Sequence, residues 1–279
     1  MIENAPVRKH QHGGYTIEGY SRAAVQTYWR IPELKLGFDL GGQPWDFMGT
    51  PRWMISHTHL DHIAALPVYL ARRRMMKMEP PEIYLPDNSI DQVDKMLNGF
   101  SRLDRGRLPC RFIGVQPGDE IELSKELVLE VGKTFHTIPS VCFLIWERRN
   151  KLKDEYKDLS GDQIRDLKSN GAEITREIRV PLLAYMGDTS PRGLDENPNA
   201  FKAKILISEM TFAAPGHRPE LIHKNGHMHV DDYVKRADRF ENELIICGHF
   251  STRYNRKQAE YHVRNRLPDL MGGRMKLWL

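Results

Sequence analysis

The chain has 279 residues, with 41 Lys and Arg against 37 Asp and Glu, for a formal net charge of +4. Apolar residues make up 40% and charged residues 28%, ordinary usage that excludes collagen-like, low-complexity and largely disordered chains. The length allows one or two domains at ~150 residues each and is ample for a core, while the slight positive excess permits a nucleic-acid partner without arguing for one.

In chain order, short apolar alternations at 15–20 and 34–40 predict strands. A brief apolar run at 53–57 ends in SHTHLDH. Residues 63–76 then read as a helix whose last turn holds Arg72, Arg73 and Arg74, where positive charge suits the helix dipole. Pro67 must either kink this helix or sit in its first turn. A strand is expected at 83–85, then a helix opened by Ser89 with Gln92 three positions on, the capping-box spacing. Alternating strands follow over 110–135, broken by the Pro117–Gly118 turn, and another strand at 141–146. From 147 to 179 the chain turns polar and highly charged, with a short helix capped by Ser160 and Gln163; this reads as an inserted arm. Beyond it, strands are expected at 182–186, 204–208 and 244–247, and helices at 231–240 and 258–267. No internal repeat and no long linker is visible, so 1–279 is expected to be one α/β domain carrying an arm. No run approaches ~18 uninterrupted apolar residues, so no transmembrane helix is expected. The opening MIENAPVRKHQHGGY lacks the apolar core of a secretory signal. Cys110, Cys142 and Cys247 form no CxxC pair, the pattern of reduced thiols in a cytoplasmic protein.

The chemistry concentrates at His57-Thr58-His59-Leu60-Asp61-His62. Residues two apart on an extended segment point to one side, so His57 and His59 can grip one ion. Asp61 and His62 follow where the chain turns into a helix and suit a second ion nearby. Imidazole and carboxylate together fit zinc or a similar first-row divalent ion. A cluster of surface histidines is the plainer alternative, but the apolar WMIS run should bury this segment's start, and buried imidazoles need partners. Four residues cannot complete two metal shells. His136, Asp188 and His249 each follow an apolar strand, where open α/β sheets gather ligands. Singly, each reads equally well as a core histidine, a turn residue or a helix cap; together they supply the donors a two-metal site needs.

HTHLDH, His136, GDT with Asp188 and GHF with His249 resemble the metallo-β-lactamase superfamily. The stretches YTIEGYSRAAVQTYWRIPELKLGFDLG, KTFHTIPS, KLKDEYKDLSGDQIRDLKSNGAEIT, ISEMTF, GHMHVDDYVKRA and HFSTRY narrow the resemblance to the short tRNase Z (ribonuclease Z) family. The resemblance implies a four-layer αββα sandwich with two zinc ions at one edge, with manganese or another divalent ion as alternatives. It implies His57, His59 and His136 on one ion, Asp61, His62 and His249 on the other, and Asp188 between them. Asp61 would also orient or deprotonate the attacking water. Glu209, in SEMTF, matches the glutamate of the family's HEAT segment. His227 matches the histidine that protonates the leaving 3′-oxygen, although Met228 and His229 stand where many relatives have Ser and Thr. His229 therefore stays open as the alternative donor, and His223 reads as a solvated loop residue.

The resemblance also makes the arm a clamp for the body of precursor tRNA and implies a homodimer in which one arm serves the other subunit's site. Arg148, Arg149, Lys151 and Lys153 are the expected phosphate contacts, which position a nucleic acid without reading its sequence. The arm as a whole is nearly neutral, so the charge argument attaches to this first segment alone. Arg72–Arg74, Arg253 and Arg256 read more plainly as surface charges. The expected activity is removal of 3′ trailers by two-metal phosphodiester hydrolysis. One alternative is a hydrolase of a small phosphodiester, thioester or lactone, which has no need of the arm. Another is a non-catalytic RNA-binding scaffold, which the full ligand set opposes.

Overall fold

Successive residues of a strand face opposite ways, and here both ways are apolar. Phe143 and Ile145 enter one buried cluster while Cys142 and Leu144 enter another; Ile205 and Ile207 part from Leu206 in the same way. Such strands need cover on both faces, and the chain supplies a sheet on one side and helices on the other. The computed structural model describes residues 6–279; residues 1–5, the start of the expected 1–279 domain, lie outside the described residues.

The first sheet runs in chain order through β1 (Arg8–His12), β2 (Tyr15–Arg22), β3 (Gln26–Ile31), β4 (Leu36–Leu40), β5 (Arg52–Met54), β6 (Glu82–Pro86) and β7 (Arg111–Val115). The second runs through β8 (Glu120–Glu122), β9 (Leu127–Lys133), β10 (Val141–Leu152), β11 (Thr175–Tyr185), β12 (Ile205–Glu209), β13 (Leu244–Gly248) and β14 (Met275–Leu277). In each sheet the first four strands pair antiparallel and the last four parallel. The two halves thus share a topology that no sequence repeat announces.

Trp29, Phe38, Met54, Phe143, Leu183 and Ile246 fill the space between the sheets. On the outer face of the first sheet lie α1 (Leu60–Ile63), α2 (Leu66–Met75) and α3 (Ile90–Asp104), with Tyr69, Leu70, Val93 and Leu97 packed on Trp53 and Ile83. On the outer face of the second lie α5 (Pro191–Glu196), α6 (Pro219–Lys224), α7 (Val230–Val234) and α8 (Arg256–Arg266). Leu194, Tyr233, Ala259 and Val263 meet Leu206 and Ile245 there. The result is the expected αββα sandwich. No helix of the described residues is long and apolar enough to cross a membrane.

Several local expectations shift. The helix expected at 63–76 is two helices, and Pro67 sits in the first turn of α2, where its missing N–H costs nothing. Ser89 does not cap α3: a 3-10 turn over Asp87–Ser89 puts it in the helical region, and its side chain accepts no capping bond. The 231–240 helix is α7 plus a 3-10 turn at Ala237–Arg239. β1 and β3 were not anticipated, and RKHQH carries no apolar signal, being held by backbone pairing to β2. Arg73 is buried, donating to the carbonyls of Met48 and Glu79, and Arg74 pairs with Asp104.

The expected arm is an extension of two strands of the second sheet. β10 and β11 run straight through the expected limits at 147 and 179, paired from Phe143–Tyr185 out to Leu152–Thr175, and α4 (Gly161–Ser169) lies at the far end. A bulge at Ile145/Trp146, opposite Pro181, marks where the buried part of the hairpin ends.

Candidate metal centre

Strand ends at one edge of the sandwich supply the site. His57 and His59 follow β5, His136 follows β9, Asp188 follows β11, Glu209 ends β12 and His249 follows β13. Asp61 and His62 lie in α1, whose close approach depends on Gly41: a Cβ there would fall 1.7 Å from the Asp61 carbonyl oxygen. Gly226, at φ +72°, serves the same purpose beside His136.

The donor atoms converge in overlapping groups: His57, His59 and His136; His57, His62 and Asp188; Asp61, His62 and His249; and Asp188, His227 and His249. Within each, the ligand atoms lie within 4.8 Å of one another. Asp188 Oδ2 is central, 3.3 Å from His249 Nε2, 3.5 Å from His62 Nε2 and 3.9 Å from His57 Nε2. All seven residues expected as ligands are here. His57, His62, Asp188 and His249 are buried.

The far sides of these rings test whether the set fits a cation. His62 Nδ1 donates to Asp39 Oδ2 at 2.7 Å, His136 Nδ1 to the Gly226 carbonyl at 3.1 Å and His249 Nδ1 to Thr211 Oγ1 at 3.0 Å. Ser56 Oγ donates to Asp39 Oδ2 and so accepts from His57 Nδ1 at 3.0 Å. With each Nδ1 carrying the proton, four Nε2 lone pairs point into the centre. His59 Nδ1 stands 3.1 Å from His57 Nε2 and 3.0 Å from His136 Nε2, and His62 Nε2 stands 3.3 Å from His249 Nε2. One ring proton cannot satisfy all these contacts. A divalent cation does, so the residues fit a metal.

Asp39 was missed by sequence reasoning. It is wholly buried, takes a φ of +55°, and its carboxylate accepts from Ser56 N and Oγ, His62 Nδ1 and the Tyr185 hydroxyl. An aspartate in the middle of the apolar LGFDL strand was the available signal, since a buried carboxylate requires such partners. His249 also sits at positive φ, +58°. Strained backbone of this kind persists where the surrounding structure holds it, as it does at functional sites.

Beside Asp188, His227 Nδ1 donates to Glu209 Oε1 at 3.0 Å. Glu209 is buried and its other oxygen accepts from Thr211 Oγ1 at 2.6 Å and Thr211 N at 2.9 Å. Thr211, also missed, thereby links His249 to the Glu209–His227 pair. Burial pushes the His227 imidazole down, but the Glu209 carboxylate outweighs it and raises the pKa to about 9. Burial likewise opposes an ionised Asp61; the His249 hydrogen bond and the adjacent imidazoles prevail and hold its carboxyl down to about 2. Its Oδ2 also accepts from Ala24 N at 2.8 Å. His229 lies outside the cluster: it caps α7, accepting from Asp231 N, and its Nε2 meets the Ala214 carbonyl. His223 pairs with Asp232 at 3.0 Å. Of the arm residues, Arg148 pairs with Glu122 and Glu177, Arg149 with Glu147 and Lys153 with Glu173, while Lys151 is exposed.

No protein-family model matches the sequence. A relative from Arabidopsis thaliana, tRNase Z TRZ1, is 38% identical over 261 residues, covering 93% of both chains. This chain belongs to the tRNase Z family. The family's members are hydrolytic endoribonucleases. Among solved structures, the metallo-β-lactamase fold protein YhfI from Bacillus subtilis aligns with a TM-score of 0.63 at 16% identity, covering 93% of this chain and 92% of that one. The short form of human tRNase Z aligns with a TM-score of 0.54 at 18% identity, covering 88% and 93%. At such identities these two speak for the metallo-β-lactamase fold.

Proposed function

We propose that this tRNase Z family member is a zinc-dependent endoribonuclease that removes 3′ trailers from precursor tRNA, leaving a 3′-hydroxyl after the discriminator nucleotide. The observation that carries this reading is the convergence of imidazole lone pairs and two carboxylates beside the Glu209–His227 pair. His57, His59 and His136 would hold one ion and Asp61, His62 and His249 the other, with Asp188 between them. Zinc suits these donors, and manganese or another divalent ion accepts the same set. When bound, such a pair supplies Lewis acidity at the scissile phosphate and lowers the pKa of water.

The chain's own residues do the rest. Asp61 stays ionised and its Oδ2 is fixed by the Ala24 N–H, so the carboxylate is placed to accept a proton from the attacking water. His227 is held protonated by Glu209 and gives that proton from Nε2 to the leaving 3′-oxygen. The P–O3′ bond breaks and the phosphate departs on the 5′ end of the trailer.

The arm supports the substrate class. Residues 147–179 would serve one metallo-β-lactamase-like domain as a clamp on the tRNA body. Arg148, Arg149, Lys151 and Lys153 are its phosphate contacts; surface ion pairs such as those of Arg149 and Lys153 are worth about 0–1 kcal/mol, so phosphates can replace their carboxylates. β10 leaves the metal edge at Val141 and ends at Leu152. At about 3.3 Å per residue its far end is on the order of 35 Å from the site. An arm pointing away from its own site can serve the site of a second copy, so a homodimer belongs to the proposal. Cys110, Cys142 and Cys247 are all free, as a reducing compartment such as the cytoplasm allows.

The test is cleavage of a 3′-extended precursor tRNA by wild-type protein, His59→Ala and Asp61→Ala, with both product ends mapped. One cut just after the discriminator, lost in both variants, is the expected result. A folded, metal-loaded protein that leaves the precursor intact would instead be a hydrolase of small phosphodiesters, thioesters or lactones.

A further inference from the structure

Arg148, Arg149 and Lys153 on the arm are compensated by carboxylates. Of the five Lys and Arg side chains facing one cavity beside the metal centre, four are not; the fifth, Arg236, pairs with Asp195. That cavity has a volume of about 780 Å³, and His136 forms part of its wall. Lys133, Arg192, Lys224 and Lys235 line it, all exposed, and none pairs with a carboxylate among the described residues. Two acids also face it. Asp232 is engaged by His223 and by the backbone N–H of His229, which leaves Glu220. The wall is therefore strongly positive where it meets the reaction centre.

It also has a stacking surface. The Arg192 guanidinium lies 4.0 Å from the centroid of the Phe135 ring, and the Lys133 ammonium lies 5.2 Å from the same centroid. Phe135 immediately precedes His136, and Arg192 is four residues after Asp188, so both are anchored by the strand ends that carry the metal donors. A guanidinium spread on an aromatic ring is a flat, charged platform. Single-stranded nucleic acids are held by such platforms together with cations that track the backbone.

We propose that this cavity binds the single-stranded 3′ trailer, with Lys133, Lys224 and Lys235 on its phosphates and a base stacked on Arg192. The assignment rests on the endonuclease reading. On the tRNA side of the cut only the discriminator nucleotide precedes a duplex. A duplex displays its phosphates on a convex surface, which a concave cavity of this volume does not receive; a flexible strand enters it. The trailer is the single-stranded part of the substrate that continues beyond the cut.

Two measurements separate this from the parent reading. The first is fluorescence anisotropy of a labelled, 5′-phosphorylated single-stranded RNA of about six nucleotides, with wild-type protein and with the exposed triple variant Arg192→Ala/Lys224→Ala/Lys235→Ala. The variant should bind on the order of 10-fold more weakly, with a salt dependence shallower by about 2 in slope. The second compares precursors bearing one-nucleotide and longer trailers. The variant's loss in kcat/KM should be on the order of 10-fold greater for the longer trailer and appear in KM. Equal losses for both lengths, or unchanged RNA binding, would overturn the trailer site. Wild-type protein that binds the strand but cuts neither precursor would overturn the endonuclease reading instead.

Discussion

Glu209 decides the charge of His227. Burial pulls the imidazole down, and the Glu209 carboxylate, 3.0 Å away, is the largest of the influences that raise it, with Asp188 behind it. Because the folded-state pKa is raised, to about 9, the pairing contributes stability in full below the unfolded value near 6.5. That contribution is lost as pH rises through about 9. In metal-free protein, Glu209→Gln should bring the His227 titration, followed by NMR, well below the wild-type value and flatten the fall in stability between those pH values. The same substitution should move the alkaline limb of kcat/KM to lower pH. His227→Ala should lower kcat by roughly 10²–10⁴-fold, the usual worth of a positioned acid; a smaller loss would remove it from that role. Asp39 acts at one remove, holding His62 and, through Ser56, His57. Asparagine tolerates the left-handed backbone that Asp39 adopts. Asp39→Asn should therefore fold, yet weaken metal binding by roughly 10–100-fold in a chelator competition. Undiminished affinity would show that the ring orientations are set elsewhere.

Among the elements, the arm hairpin separates what stabilises the protein from what it is for. α4 buries none of its residues, and its N-terminus rests on a full capping box between Ser160 and Gln163. The same spacing at Ser89 and Gln92 makes no cap, because the preceding 3-10 turn has already turned Ser89 into helical geometry. A capping motif is thus legible in sequence only where the preceding backbone is extended. Ser160→Ala should cost about 1 kcal/mol within the arm. It should speed amide exchange over α4 while leaving the global unfolding midpoint in place, since no core contact depends on that helix. Loss of the global midpoint would mean that the arm and sandwich unfold as one unit.

For the whole molecule, the arm's direction sets a requirement. It departs from the end of the second sheet opposite the metal donors. If arms act across a two-fold dimer, a protomer lacking 149–177 and an Asp61→Ala protomer with its arm intact should be inactive apart and active mixed. Random pairing puts half the dimers in the mixed state with one complete site of two, so roughly a quarter of wild-type activity should return. No recovery after subunit exchange would make the arm serve its own site or none. The centre of the sandwich carries the stability: Phe143→Ala, wholly buried between the sheets, should cost about 3–5 kcal/mol by denaturant titration.

The sequence by itself picked out the seven His and Asp residues that converge at one edge, the strand ends that bear them and the position of the polar arm. Those signals are local: a His-rich sextet, single polar residues closing apolar runs, and a change of composition. Only the tertiary structure separated His227 from His229, because their roles depend on whether Glu209, many residues away, comes within hydrogen-bond reach. Asp39 and Thr211 were equally hidden, since a lone aspartate or threonine declares nothing until its partners surround it. The doubled topology was concealed because backbone pairing, not side-chain identity, repeats between the halves. Charge was the most misleading property to read along the chain. Lys and Arg are visible as letters, but whether they are neutralised depends on carboxylates across strands, as Glu122 lies against Arg148. The unbalanced positive charge assembles from β9, α5, α6 and the residue that follows α7, around a cavity that exists only after folding.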